Sequence, residues 1–112
     1  WAKLEKEYRP HLDYEDDPFF ANVGYWQRQS HIFQSPFYYI DYVLASICAM
    51  QYKVQMDENF DAAWNNYLKL CKLSAKDFYV NVIREAGLNS PFEDGCMKEL
   101  VGKLEKKVKF DD

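Results

Sequence analysis

Gln34–Met56 reads QSPFYYIDYVLASICAMQYKVQM, and its apolar spacing decides the fold class. Phe37, Ile40, Leu44, Ile47, Gln51 and Val54 recur at the three-and-four spacing of one helix face. Tyr38, Tyr42, Ala45, Ala49 and Tyr52 make a second stripe beside it. A helix that is apolar around most of its circumference is central to its fold. Ser35 suits an N-cap and Pro36 a first helical position, so the pattern predicts one long helix from Phe37 to about Met56.

The flanking sequence is helical too. In WAKLEKEY, Trp1, Leu4 and Tyr8 share a face, and Pro10 ends the helix near Tyr8 or Arg9. HLDYEDDP reads as an acidic, irregular loop, and FFANVGYWQRQSHIF as a second helix from about Asn22 to Phe33, weakened at Gly24. DENF opens a helix with Phe60, Ala63, Trp64, Tyr67, Leu68 and Cys71 on one face. Ser74 with Asp77 resembles a capping box for the next helix, which carries Phe78, Val82 and Ala86. Gly87 should stop that helix, with Leu88 giving the apolar contact that accompanies a glycine stop. Ser90, Pro91 and Glu93 suit the start of a last helix running to about Phe110, with Met97, Leu100, Val101, Leu104 and Val108 inward. No strand pattern competes. The expected fold is an all-α helical bundle of about five or six helices around one long central helix, in a single domain spanning 1–112.

Composition narrows the function. The formal charge is −4, and the lysines of the last segment alternate with Glu99, Glu105, Asp111 and Asp112, so no nucleic-acid footprint is expected. No apolar run approaches the roughly 18 to 20 residues of a membrane span. No signal peptide is evident from Trp1 onward, and three widely spaced cysteines (Cys48, Cys71, Cys96) suit free thiols in a cytoplasmic protein. Aromatic residues make up 18% of the chain, enough for a dense core or for packing against something else.

Self-contained catalysis finds little support. There is no H-E-x-x-H, no G-x-S-x-G and no glycine-rich phosphate loop. His11 and His31 stand apart from any metal-ligand spacing, so no metal site is expected in this chain. Cys48 falls inside a helix and reads as a structural thiol. The acidic run Glu15-Asp16-Asp17 reads as a solvated loop. What remains is His31 with Tyr38, Tyr39 and Tyr42, across a Ser-Pro corner that can fold the histidine back towards the helix start. Two readings stand side by side. The rings are ordinary core with hydroxyls on backbone carbonyls, which pattern alone favours, or they converge to hydrogen-bond a carbonyl oxygen and the oxyanion that develops from it.

The segment YWQRQSHIFQSPFYYIDYVLA, with WAKLEKEYRPHLDY before it and AGLNSPFEDG after it, resembles the C-terminal part of oligoendopeptidase F-type peptidases, zinc metallopeptidases of the thimet oligopeptidase family. The resemblance covers nearly the whole chain. It implies a cytoplasmic, all-helical peptidase in which zinc sits on an H-E-x-x-H helix with a further glutamate, both outside this chain. By position His31 and Tyr42 match catalytic groups that stabilise the oxyanion, and Tyr38 and Tyr39 match substrate-binding tyrosines. The implied partners are a peptide substrate and the catalytic helical part of the parent, without which the chain is expected to be inactive. Self-association through an apolar face left exposed is also expected. The alternative is a stand-alone, non-catalytic helical interaction module.

Overall fold

The computed structural model describes residues 1–14 and 17–107, with the side chains at 22 and 23 set aside. Glu15 and Asp16 of the acidic run, and the expected end of the last helix with Val108 and Phe110, lie outside the described residues. Among the described residues six α-helices run in chain order: α1 (Ala2–Tyr8), α2 (Ser30–Gln34), α3 (Ile40–Glu58), α4 (Phe60–Leu73), α5 (Tyr79–Glu85) and α6 (Cys96–Glu105). No strand occurs among the described residues, so the fold is all-α. The chain divides into two compact units, Trp1–Ile40 and Asp41–Asp112.

In the second unit α3 is the axis, and both of its stripes are used over the C-terminal half. Cys48 and Tyr52 pack with Ile83 and Leu88, while Ile47 and Val54 pack with Leu100. Full burial of a side chain such as Ile83 stabilises by roughly 1.5–3 kcal/mol. The hydroxyl of Tyr52 donates to the backbone carbonyls of Asn66 (3.3 Å) and Ala86 (3.4 Å), so this tyrosine is core with a satisfied polar end. Burial, reinforced by the nearby thiols of Cys48 and Cys71, pushes its pKa up to about 12. Tyr79, also half-buried, bonds the Cys48 thiol at 3.3 Å, and burial ahead of that bond raises its pKa as well. Cys48 is thus the structural thiol its helix-interior position suggested.

Gly87 ends α5 as expected. It takes φ +77, Leu88 N–H donates to Ile83 C=O (2.9 Å) and Gly87 N–H to Arg84 C=O (3.0 Å), which is a complete Schellman stop with Leu88 buried against Ile83. Gln51 adds a link that no capping rule anticipates. Its Nε2 donates to Asn89 C=O (2.9 Å) and its Oε1 accepts from Asn89 N–H (2.8 Å), so the amide pairs with the loop backbone as a neighbouring strand would. Gln55 Nε2 donates to Gly87 C=O at 2.8 Å one turn on. The AGLNSPFEDG loop is therefore clamped to the long helix.

Three expected helix starts move, each for the same physical reason. Ser35 is the C-cap of α2, Pro36 to Tyr39 form turns, Phe37 takes φ +68, and α3 begins at Ile40. Ser74 is the C-cap of α4, Ala75 takes φ +64, and α5 begins at Tyr79, with Asp77 accepting from Phe78 N–H (2.6 Å) and Asn81 Nδ2 (3.0 Å). Ser90 closes a turn with Glu93 N–H (3.0 Å), Gly95 takes φ +86, and α6 begins at Cys96. In each case a left-handed residue stands between the serine and the helix, and helical φ/ψ cannot propagate through it.

Some expected faces are also corrected. On α1 the buried residue is Glu5, while Trp1, Leu4 and Tyr8 are exposed; Tyr14 donates to the Glu5 carboxylate at 2.6 Å. That bond, ahead of desolvation, raises the Tyr14 pKa to about 12. On α4 Ala63 is buried, whereas Phe60, Trp64 and Tyr67 form an exposed aromatic row with centroids 6.3 Å and 5.4 Å apart. On α6 Leu100 is buried, but Met97 and Val101 face outward. The expected second helix is not continuous: Phe20–Gly24 is a π-helical turn, Tyr25–Arg28 a 3-10 turn, and α2 starts only at Ser30. The Phe19 ring lies over Gly24, and a Cβ there would push the ring aside.

Candidate functional site

Within the first unit, α2 carries His31, and the Ser35-Pro36 corner turns the chain back on it. A residue before proline is pushed to extended backbone, and Ser35 at φ −145 obeys this. Tyr38 N–H then donates to Ser35 C=O (3.1 Å) and Ile40 N–H to Phe37 C=O (3.4 Å), which tightens the reversal. The result brings His31 against Tyr38 (centroids 6.0 Å apart, planes 21°) and Tyr39 (5.4 Å, 59°). The sequence reading expects His31 to meet Tyr38, Tyr39 and Tyr42 across this corner, and within the first unit the structure brings it to Tyr38 and Tyr39. Trp26 stacks on Phe33 of α2 (5.9 Å, 25°), and Trp1 lies 6.2 Å from Trp26, so the short helix rests on an aromatic layer.

Tyr42 is placed differently. It sits in the first turn of α3, in the second unit, and its carbonyl accepts from Ser46 Oγ at 2.7 Å. Because α3 begins at Ile40, Tyr38 and Tyr42 do not form the helical i,i+4 pair that their spacing suggested. The exposure of these rings within this chain differs from that of a core tyrosine. Tyr52 is 5% exposed and is core, whereas Tyr38, Tyr39 and Tyr42 are 49%, 46% and 49% exposed and are not. Within the first unit, the half-exposed phenols of Tyr38 and Tyr39 beside the half-buried His31 imidazole can donate to an incoming carbonyl oxygen, which a sealed core tyrosine cannot.

Among the described residues no group of three His, Cys, Asp or Glu side chains could hold a metal ion. His11 lies in an exposed turn, and Cys48, Cys71 and Cys96 are free thiols. The described residues therefore do not fit a zinc site. No described helix is long and apolar enough to cross a membrane.

Sequence reading missed two features. Gln51 stood in an apolar stripe, and a lone amide on such a stripe is the signal for a buried backbone partner. Arg28, in WQRQ, was given no part, yet its guanidinium lies over the Tyr25 ring at 5.2 Å.

The known proteins that this chain matches are peptidases. No protein-family model matches the chain, and no curated protein matches it. Among solved structures, an oligoendopeptidase F matches 96% of this chain at 41% identity and TM-score 0.87. PZ peptidase A, solved with an inhibitor, also matches 96% of it, at 45% identity and TM-score 0.87. The chain is thus similar to one region of peptidases of the oligoendopeptidase F type. It spans 19% of the length of each of these structures.

Proposed function

We propose that these residues form the C-terminal, substrate-holding part of a zinc-dependent oligoendopeptidase that hydrolyses short peptides in the cytoplasm. The observation that carries the reading is the packing of His31 on Tyr38 and Tyr39 at a half-exposed corner, in a chain 41–45% identical to peptidases. In this reading Tyr42 and His31 donate to the carbonyl oxygen of the scissile bond as it gains negative charge. Tyr38 and Tyr39 bind the peptide backbone. Donors fixed in advance at the point where charge develops stabilise the transition state more than the ground state. Zinc and its general base belong to the rest of the parent, since the described residues offer no site for the metal.

The test uses the complete open reading frame. It should encode H-E-x-x-H followed some tens of residues later by a glutamate, and the intact protein should cleave a quenched fluorogenic peptide. The 112-residue chain with zinc added should not. Cleavage by the chain alone, or an open reading frame without the motif, contradicts the proposal.

A further inference from the structure

The first unit holds a second feature, which the carbonyl-binding corner does not use. Arg9, Tyr25, Trp26, Arg28, Ile32 and Tyr39 are among the side chains lining a cavity of about 530 Å³. That volume lies in the range of small-ligand sites, roughly 300–1,000 Å³. Its chemistry is specific. The guanidinium carbons of Arg9 and Arg28 lie 5.9 Å and 5.2 Å from the centroid of one ring, Tyr25. Stacking on an aromatic face holds a guanidinium in plane and leaves its hydrogen-bonding edge to point elsewhere. Two cations gathered on one ring repel each other, and an anion between them relieves that.

No described carboxylate fills this role. Among the described residues neither guanidinium is in an ion pair or a hydrogen bond. Glu5, the buried carboxylate of α1, is taken by the Tyr14 hydroxyl at 2.6 Å. Trp26 and Ile32 give the wall apolar area, with Gln29 a polar side chain among them. Charge for a carboxylate beside apolar walls for a side chain is the pattern that the end of a peptide satisfies. Arginine forks bind carboxylates in bidentate fashion. Tyr39 belongs to both places, lining this cavity and packing 5.4 Å from His31. A ligand anchored here therefore extends towards the histidine-tyrosine corner.

We infer that this cavity binds the free C-terminal carboxylate of a short peptide, with Arg9 and Arg28 holding the carboxylate and Trp26 and Ile32 enclosing its last side chain. The inference rests on the peptidase reading for its substrate class.

The test reads binding directly. Trp26 lines the cavity, so tryptophan fluorescence of the 112-residue chain is titrated with Gly-Phe-Leu and with the same tripeptide as its C-terminal amide. The acid should give a saturable change at least tenfold tighter than the amide. Arg9→Gln and Arg28→Gln should each abolish that preference, and Arg28→Lys should restore part of it. Equal binding of acid and amide overturns the inference, as does an acid preference that survives both substitutions. In the intact peptidase the same variants should raise KM for free-acid peptides about tenfold and leave KM for amides unchanged. Equal effects on acids and amides mean that the arginines pair with carboxylates of the protein itself, and overturn the inference. If the intact protein proves not to be a peptidase but the chain still selects the acid, the function reading falls and the cavity assignment stands. Peptidase activity without acid selection gives the reverse.

Discussion

Gln51 is the most informative single position in the second unit. Its amide makes two hydrogen bonds to Asn89 backbone, at 2.9 Å and 2.8 Å, while the residue is 8% exposed. Gln51→Met keeps the stem and removes both bonds. Each such bond is worth about 0.5–1.5 kcal/mol net. Asn89 itself is exposed, so water can reach its backbone and the larger penalty for a sealed, unpartnered group does not apply. The expected loss is about 1–3 kcal/mol, a roughly 5- to 140-fold change in the opening equilibrium. Amide hydrogen exchange suits the measurement, since the chain has two units and global unfolding mixes them. Exchange at Val54 and Ile83 should accelerate by that factor, and that of Leu88 by at least as much, because Gln51 holds its loop. Gln51→Glu should not rescue, since a carboxylate keeps the bond from Asn89 N–H but repels Asn89 C=O. Rates within about twofold of the parent for Gln51→Met would refute the claim that this pair clamps the loop to α3.

Other expectations are simpler to test. Gly87→Ala forces a Cβ into φ +77 and 2.7 Å from Asn66 Nδ2, so urea unfolding should show a loss of about 1–2 kcal/mol, and no loss would discount the Schellman stop. Tyr52 has a folded pKa of about 12 against 10 for the free phenol, and Tyr79 is raised too. The stability they contribute is complete below pH 10 and falls as pH rises towards 12, because only the unfolded chain ionises there; Tyr52→Phe should flatten that alkaline slope. Phe37 and Phe78 are 95% and 84% exposed, and Phe60, Trp64 and Tyr67 of α4 are exposed too, so sedimentation of the isolated chain should show concentration-dependent self-association, and a monomer throughout would count against it.

Much of the fold was legible because its signals are local. The spacing along Ile40–Glu58 exposes the central helix, and the Gly87-Leu88 stop is written in two residues. The three misplaced helix starts share a cause. Ser35, Ser74 and Ser90 each carry a sound capping pattern, but Phe37, Ala75 and Gly95 take left-handed backbone after them. Gly95 could have been suspected; phenylalanine and alanine do not advertise that conformation, which tertiary packing imposes at some cost. The same displacement changed the site. The Ser35-Pro36 corner made the meeting of His31 with Tyr38 and Tyr39 readable. Tyr38 and Tyr42 were paired on a helix that in fact starts between them. The Arg9-Arg28 cavity was invisible in sequence, because its members come from separate segments with no shared period.

The central claim is that the hydroxyls of this chain act on a developing oxyanion. Steady-state peptide hydrolysis by the complete parent protein carrying Tyr42→Phe tests it most directly. The account predicts kcat lower by about 10²-fold with KM little changed, the mark of a donor used in the transition state. An unchanged kcat, or a loss confined to KM, would contradict it.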